Sequence, residues 1–313
     1  MIPKIDSEIG ISVYTTKFPG CGGIIKKQND DFVVSEVITE KAHSRICSDS
    51  GYVVYKLKKN GIDTTHALGK IFKKHGLRLK ALGLKDASAV TEQFVFTTSK
   101  MKHDFEINEP RYSLKKIGFT DKPLSKKEMV GNHFQIKIDN ASDIASQFEE
   151  YDRILNFYGY QRFGSTRPIS HLIGKSLLQK NYLNAVQILL SSTSEYDKPE
   201  NTELRKMMSD KSKYHEALKI IPNGMDLEKT VLKEMIESDN AVRAIRALPL
   251  QIRRFFVHAY QSFVFNKTLS ASFENGEEMF SPQEDDVCYD KNGNLGKFEN
   301  DPHQRLSIPF VGY

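Results

Sequence analysis

The spacing of the apolar residues changes near Pro168, and this change constrains the fold of the chain more than any other feature of the sequence. Before Pro168, short segments of alternating polarity are typical of strands, and the clearest, around residues 53–58, predicts a half-buried strand. After Pro168, helical spacing dominates through Lys219. A mixed α+β part followed by a mainly helical part is therefore the expected architecture.

Individual elements follow from the same patterns. The expected strands lie at 24–37 (broken at 28–31), 53–58, 79–84, 93–98 and 133–138. The expected helices lie at 65–75, 141–155, near 227–237 and at 250–269. The first of these helices has Thr64 or Thr65 as its cap and ends at Gly76. Turns and short strands are expected between Glu274 and Arg305.

Length and composition limit the classes of protein to consider. With 313 residues and 39% hydrophobic content, the chain is long enough for two domains. No apolar run is long enough for a bilayer, and the N-terminus lacks the apolar region of a secretory signal. Cys21, Cys47 and Cys288 lie far apart, which indicates neither a disulfide framework nor a structural zinc site. A cytoplasmic protein is expected.

Positive charge is clustered although the net charge is only +5. Clustered cations are typical of proteins that bind a phosphate backbone. Ordinary solvated faces are the alternative for any one cluster. The three clusters are Lys70, Lys73, Lys74, Arg78, Lys80 and Lys85; Lys115, Lys116, Lys122, Lys126 and Lys127; and Arg243, Arg246, Arg253 and Arg254.

Residues 83–93 contain the most informative polar pair, Lys85 and Asp86. The Lys85 ammonium is expected to favour the ionised form of the adjacent carboxylate. A helix expected to begin at Ala87 would direct backbone N–H groups at the same charge. The alternative is structural, since an Asp at this position can simply cap a helix.

Residues 156–164 combine four aromatic rings with two glycines, two amides and a guanidinium. Glycine lets the backbone approach a flat ligand, an aromatic face stacks on a base, and Arg forks to phosphate or carboxylate. An aromatic loop that seals the domain core is the alternative interpretation.

Two further segments are ambiguous when taken alone. Lys26 precedes the Asp31-Phe32 turn and lies either near a catalytic carboxylate or exposed on an edge strand. The segment 259–266 is typical of a buried helix, and its Gln261 and Asn266 either pair within the core or reach RNA.

Together these segments resemble the TruD family of pseudouridine synthases, over nearly the whole chain. The resemblance implies an α+β pseudouridine-synthase catalytic domain with a mixed, mainly antiparallel sheet at 1–175. It also implies a mainly helical inserted TRUD domain at 176–313. The matching patterns, in order, are Ile-Lys-x-x-x-x-Asp-Phe-x-Val-x-Glu at Ile25–Glu36, Gly-x-Lys-Asp-x-x-Ala-x-Thr-x-Gln at Gly83–Gln93, Gly-Asn-x-Phe at Gly131–Phe134, Asn-x-aromatic-Gly-x-Gln-Arg-Phe-Gly at Asn156–Gly164, and Tyr-Gln-Ser-x-x-Phe-Asn at Tyr260–Asn266.

The resemblance also implies roles for single residues. Asp86 corresponds to the catalytic aspartate, and Lys26 to a lysine that pairs with it. Tyr158 corresponds to the ring that stacks on the target base, where the family usually has Phe. The remaining matched positions are candidates for substrate binding, namely Lys85, Phe32, Thr91, Gln93, Asn156, Gln161, Arg162 and Phe163.

The implied activity is isomerisation of a specific uridine in tRNA, in the D-arm region, to pseudouridine. No cofactor, metal, membrane or obligatory protein partner is expected. One departure from the family motivates an alternative, a catalytically inactive tRNA-binding protein of the same fold. The last residues, Ile308–Tyr313, are expected to lie within or at the end of the inserted domain, which gives the expectation that the usual return to the catalytic sheet is missing. A glycoside hydrolase is a third interpretation, but that class usually needs two facing carboxylates and one well-placed candidate is found.

Overall fold

The structure is a computed structural model that describes residues 2–46, 50–100, 106–308 and Phe310. The chain divides into two compact units. Phe18–Glu150 form the sheet unit, and Met1–Lys17 with Tyr151–Tyr313 form the helical unit. These boundaries differ from the expected domains at 1–175 and 176–313. The division into compact units does not show which segment of the chain is an insertion, so the domains at 1–175 and 176–313 stay a prediction.

The elements are as follows. The α-helices among the described residues are α1 (Lys4–Glu8), α2 (Glu40–Ser44), α3 (Thr64–His75), α4 (Ser170–Leu178), α5 (Tyr182–Ser191), α6 (Pro199–Met207), α7 (Tyr214–Ile220), α8 (Asp226–Ser238), α9 (Ala241–Ala247) and α10 (Leu250–Glu274). The strands are β1 (Ile24–Ile25), β2 (Phe32–Ile38), β3 (Tyr52–Asn60), β4 (Leu79–Ala81), β5 (Val90–Thr97), β6 (Ile107–Glu109), β7 (Tyr112–Thr120), β8 (Met129–Ile136), β9 (Ile138–Asp139), β10 (Val287–Tyr289), β11 (Leu295–Lys297) and β12 (Arg305–Leu306).

The sheet unit is built on a sheet with strand order β6-β7-β3-β5-β2-β8, and β4 pairs with β5. Strands β2 and β5 are parallel neighbours, with Val34 opposite Thr91, and the other described pairs of this sheet are antiparallel. Strands β1 and β9 form a separate antiparallel ribbon. The prediction of an α+β fold with a mixed, mainly antiparallel sheet is confirmed.

Both faces of the central strand β3 are covered at Val53–Tyr55. Val53, Tyr55 and Leu57 pack in one cluster with Ala67 and Ile71 of α3. Val54 is fully buried in a second cluster with Phe94 and Phe96. Because successive side chains of a strand point to opposite faces, the two clusters lie on either side of the sheet. The predicted strand is confirmed, and its half-buried character holds at Lys56 and Lys58, which are intermediate and exposed, whereas Val54 on the same face is buried.

Several predicted boundaries are corrected in the sheet unit. Asp63, and neither threonine, caps α3: its carboxylate accepts a hydrogen bond from the His66 N–H at 3.0 Å. The expected end at Gly76 is confirmed, since Gly76 has a φ of 67° that favours glycine. The predicted strand at 79–84 stops at Ala81, and no helix begins at Ala87.

The predicted amphipathic helix at 141–155 is wrong. The structure has a 3-10 helix at Asp143–Glu150 instead. Two residues of the expected apolar face, Phe148 and Ile154, are 40% and 52% exposed. A short helix is marginal unless its apolar face packs on a core, and this segment has little core to pack on.

The helical unit has one main core, formed by α4, α5 and the helices that follow. Helices α4 and α10 come into close backbone contact at Gly174, where an added Cβ would lie 1.9 Å from the Phe256 carbonyl oxygen. A smaller cluster joins Ile9, Ile11 and Phe163 to Ala259 of α10. The helices predicted after Pro168 are confirmed, as are short strands between Glu274 and Arg305, where β10 and β11 lie. These two strands form a sheet with β12 in the order β11-β10-β12.

Two general expectations concern membranes and thiols. None of the described helices combines the length and apolar character needed to cross a bilayer. Cys21 and Cys288 are free thiols, and Cys47 lies outside the described residues.

Candidate active site

Asp86 lies on the loop between β4 and β5, and 67% of its side chain is exposed. The Lys26 Nζ lies 3.7 Å from Asp86 Oδ2. Lys26 follows β1 and Asp86 precedes β5, so the pair joins two loops far apart in sequence. The sequence alone left Lys26 between an edge-strand position and a place near a catalytic carboxylate, and the structure brings it to Asp86.

Lys26 is held by its backbone and by an aromatic ring. Its φ of 57° is left-handed, which non-glycine residues rarely adopt and which is a local strain of about 1 kcal/mol or more. Its Nζ lies 4.1 Å from the centroid of the Phe32 ring, a cation–π contact. Phe32 in turn packs edge-on against Phe134 of β8, with centroids 5.9 Å apart. The ammonium is therefore fixed between a ring and a carboxylate.

Lys85 does not contact the carboxylate that follows it. Its side chain is 6% exposed, and its Nζ lies 3.4 Å from Oε2 of the fully buried Glu36 side chain. Burial raises the pKa of Glu36, and the Lys85 charge opposes that shift. The expectation that Lys85 provides the ammonium beside Asp86 is thus wrong, because Lys26 provides it. Lys85 lies inside the sheet unit, away from solvent.

Two other candidate substrate-binding residues, Thr91 and Gln93, are fully buried in β5. Gln93 Nε2 donates to the Gly83 carbonyl at 2.9 Å, and its Oε1 accepts from the Thr64 hydroxyl at 2.8 Å. The Lys85 N–H donates to the same hydroxyl at 2.9 Å. These bonds tie the loop that carries Asp86 to α3 and β5.

Lys59, which the sequence analysis missed, lies directly beneath this loop. It is 1% exposed, and its Nζ donates to the carbonyls of Ile62, Lys85 and Asp86 at 2.8, 3.1 and 2.7 Å. Burial is the main cause that lowers the pKa of Lys59, to about 8. The Asp86 loop therefore rests on a buried cation.

Tyr158 belongs to the helical unit, and its backbone is fixed by Asn266 of α10. The Tyr158 N–H donates to Asn266 Oδ1 at 2.9 Å, and Asn266 Nδ2 donates to the Tyr158 carbonyl at 3.0 Å. Asn266 is fully buried. Of the two alternatives left open for Asn266, pairing within the core is the one observed.

A cavity of about 650 Å³ opens beside the Tyr158 ring. The Arg162 guanidinium carbon lies 5.3 Å from the Tyr158 ring centroid and 5.9 Å from that of Phe255. Gln161 also lines this cavity. Phe255 was not a candidate from the sequence, because its position in α10 is typical of a core residue.

The remaining residues of this segment have different environments. Phe163 is fully buried and packs edge-on against His171 at 5.4 Å, so its ring serves the core. Asn156 is exposed. The Tyr160 hydroxyl donates to Asp6 Oδ1 at 2.5 Å, which anchors the segment to α1. Both interpretations of residues 156–164 thus hold for different parts of the segment. Phe163 packs in the core, whereas Tyr158, Gln161 and Arg162 line an open cavity.

The first basic cluster is less positive than its composition suggests. Lys85 is buried against Glu36, and Lys74 forms an ion pair with Glu109.

In the helical unit, Arg246, Arg253 and Arg254 line a groove of about 370 Å³ with Tyr182 and His258. None of its lining residues is acidic.

The chemistry available in the sheet unit is that of one exposed carboxylate beside a fixed ammonium. Such a carboxylate can act as a nucleophile or stabilise a developing positive charge. The helical unit adds an aromatic ring, a guanidinium and an amide around a cavity. Within the described part of the chain, no group of three or more His, Cys, Asp or Glu side chains is arranged to hold a metal ion.

Comparison with known proteins gives concordant matches. The family profile of tRNA pseudouridine synthase D (TruD) matches residues 8–306. A probable tRNA pseudouridine synthase D of Methanosarcina barkeri is 31% identical, over 93% of this chain and 69% of the relative. A probable tRNA pseudouridine synthase D of Pyrobaculum neutrophilum is 29% identical, over 99% of this chain and 77% of the relative. A crystal structure assigned to tRNA pseudouridine synthase D from Methanosarcina mazei has a TM-score of 0.73 at 25% identity, over 96% of this chain and 73% of that one.

Proposed function

Because this chain belongs to the TruD family of tRNA pseudouridine synthases, which are isomerases, we propose that Asp86 is its catalytic residue and that its target is a uridine in the D-arm region of tRNA. The observation that supports the role of Asp86 most directly is the Lys26–Asp86 pair, in which the exposed carboxylate has a fixed ammonium 3.7 Å away.

The proposed reaction breaks the bond between uracil N1 and C1′ of the ribose, and the freed uracil turns and forms a bond from C5 to C1′. A proton leaves C5 and N1 gains one, so the product is an isomer and no redox cofactor is needed. Asp86 either attacks C1′ or stabilises an oxocarbenium-like state, as carboxylates do in glycosidases. It is also the candidate base for the C5 proton.

Lys26 has a supporting role in this proposal. Its ammonium places a positive charge 3.7 Å from the Asp86 carboxylate, the group that acts in both versions of the reaction. Phe32 contributes by restricting the ammonium, since its ring contacts the same Nζ. We assign Lys85, Thr91 and Gln93 to supporting the loop, because they are buried.

The target base must leave its stack before Asp86 can reach the ribose, at a cost of a few kcal/mol. We propose that Tyr158 recovers part of this cost by stacking on the extruded base. Arg162 and Gln161, which line the cavity beside Tyr158, are positioned for polar contacts with the base or its phosphate. Asn156 is exposed and remains a candidate for substrate binding.

The tRNA backbone needs a positively charged surface. We propose that the groove lined by Arg246, Arg253 and Arg254 contacts tRNA phosphates, because its lining residues carry no negative charge to offset the arginines. In this proposal residues 1–175 form the catalytic domain and residues 176–313 the inserted domain that clamps the tRNA.

The substitution Asp86→Asn tests the catalytic assignment. It removes the negative charge while keeping the shape, so pseudouridine formation should be abolished and tRNA affinity should stay within a few-fold. Carbodiimide-dependent stops in reverse transcription map the product, and filter binding gives Kd. Asp30→Asn, at an exposed carboxylate of the same unit, is the matched control.

Two outcomes would contradict the proposal. A hundredfold loss of affinity, about 2.7 kcal/mol, would make Asp86 a structural residue. No stop in tRNA with saturating unmodified protein would favour the inactive tRNA-binding protein of the same fold.

A further inference from the structure

Lys59 carries a buried ammonium whose hydrogen bonds go to backbone carbonyls. An ammonium has three N–H donors and no acceptor. The three carbonyls of Ile62, Lys85 and Asp86 accept from its Nζ at 2.8, 3.1 and 2.7 Å, so its donors are fully used. No further donor is left for a substrate group, which excludes Lys59 as a direct substrate contact in this arrangement.

Two of the three carbonyls belong to the peptide groups on either side of the Asp86 Cα. The Lys85 carbonyl is part of the peptide that enters Asp86, and the Asp86 carbonyl is part of the peptide that leaves it. The orientation of these two peptide planes sets the direction in which the Cα–Cβ bond points. One ammonium therefore fixes the direction of the Asp86 side chain, and its bond to Ile62 ties that direction to the end of β3.

We propose that Lys59 is a positioning residue for the proposed reaction, and that its ammonium aims the Asp86 carboxylate by holding both adjacent peptide groups. This inference rests on the proposed role of Asp86. Without the ammonium the loop keeps its bonds to Thr64 and Gln93, so the fold of the unit and the tRNA-binding surfaces persist while the carboxylate loses its fixed direction.

Protonation gives a readout that a purely structural role would not move. Burial lowers the pKa of Lys59 to about 8, Asp63 and Asp86 oppose that shift, and Lys85 adds to it. A neutral amine has two N–H donors and a lone pair, so one carbonyl loses its donor.

In the unfolded chain a lysine keeps its proton until about pH 10.4. Between about pH 8 and 10.4 the unfolded state thus binds more protons, and this group's contribution to the free energy of unfolding rises with pH. Turnover should fall over the same range.

The experiment compares kcat, KM and thermal unfolding from pH 6 to 10 for the unmodified protein, Lys59→Met and Lys59→Arg. Lys58→Met, at the exposed neighbouring position of β3, is the control. We expect kcat of the unmodified protein to fall above about pH 8 without a matching loss of thermal stability. Below about pH 8, Lys59→Met should lower kcat about a hundredfold with KM within a few-fold, and the difference should narrow at higher pH as the unmodified protein loses its Lys59 charge. Lys59→Arg, whose charge does not titrate in this range, should retain more activity and keep it to higher pH.

Full activity of a folded Lys59→Met variant, or an alkaline loss that is unchanged in Lys59→Arg, would overturn the inference. If neither variant folds, the unmodified protein decides, since a kcat that stays constant while the Lys59 amine is seen by NMR to lose its proton is incompatible with the inference. Asp86→Asn separates this inference from the proposed function: an inactive Asp86→Asn beside an active Lys59→Met removes only the role of Lys59, whereas an active Asp86→Asn removes the proposed function itself.

Discussion

Asn266 connects to Tyr158 through both of its amide atoms, accepting from the Tyr158 N–H at 2.9 Å and donating to the Tyr158 carbonyl at 3.0 Å. The same Nδ2 donates to the Ile9 carbonyl at 2.9 Å. One buried side chain of α10 therefore fixes both the N-terminal segment and the segment that carries the aromatic ring. The ring position in the helical unit depends on this amide.

Asn266→Ala should destabilise the helical unit. Three backbone groups lose their partner, one of them buried and two partly buried. Each unsatisfied buried group costs about 1–3 kcal/mol, so we expect a loss of roughly 3 kcal/mol in the free energy of unfolding. Urea unfolding measures it, and Gln251→Ala on the exposed surface of the same helix is the control. A loss below about 0.5 kcal/mol, the range of ordinary surface substitutions, would mean that water replaces the amide.

Tyr158→Ala should lower kcat/KM about 10- to 100-fold, because stacking of a base on an aromatic ring is worth about 1–3 kcal/mol. Tyr158→Phe should stay within about threefold of the unmodified protein, since the ring is retained. Single-turnover kinetics on tRNA gives both values. If Tyr158→Phe is as damaging as Tyr158→Ala, the hydroxyl and not the ring face carries the function.

Lys26→Met should lower kcat about tenfold, equivalent to about 1.4 kcal/mol in the barrier, because the carboxylate loses its paired ammonium. The free energy of unfolding should change by no more than about 1 kcal/mol, since the Asp86 side chain is 67% exposed and ion pairs open to solvent are weak. Lys27→Met is a matched control: the adjacent lysine is 61% exposed and faces Asp139 at 3.8 Å. Equal effects of the two substitutions on kcat would contradict a specific role for Lys26.

The double substitution Arg246→Ala and Arg254→Ala should weaken tRNA binding and reduce its salt dependence. Each lost phosphate contact lowers the slope of log K against log salt by about 0.7–0.9. Both side chains are exposed, so folding should be unaffected. Arg243→Ala removes an arginine that pairs with Glu234 at 3.0 Å, outside the groove, and should leave the slope unchanged. An unchanged slope in the double variant would remove the groove from the tRNA-binding surface.

Long periodic segments could be predicted from the sequence. Helix α10 and strand β3 were expected within a few residues, because their apolar spacing is regular over several turns or pleats. The helix expected at 141–155 had the right periodicity but lacked a core surface to cover. Periodicity reports the amphipathic character of a segment, and only the tertiary structure decides whether its apolar face is buried.

The candidate site could be predicted in part. The association of Lys26 with Asp86 followed from the family resemblance, whereas the local expectation that Lys85 would pair with Asp86 failed because Lys85 is directed toward Glu36. Lys59 was missed, although a signal for it existed. It continues the buried alternation of Val53, Tyr55 and Leu57 on β3, and a lysine in that register indicates a buried cation with carbonyl or carboxylate partners.

The parallel pairing of β2 with β5 has a consequence for how the site forms. Parallel neighbours begin at the same edge of a sheet, and here the loop before one carries Lys26 while the loop before the other carries Asp86. In an antiparallel arrangement the two loops would start at opposite edges, separated by roughly 20 Å for strands of this length. Parallel strands require a long crossover, so their contact is distant in sequence and costly to close. Local hairpins alone therefore do not bring the carboxylate to its ammonium, because that meeting requires this long-range pairing to have formed.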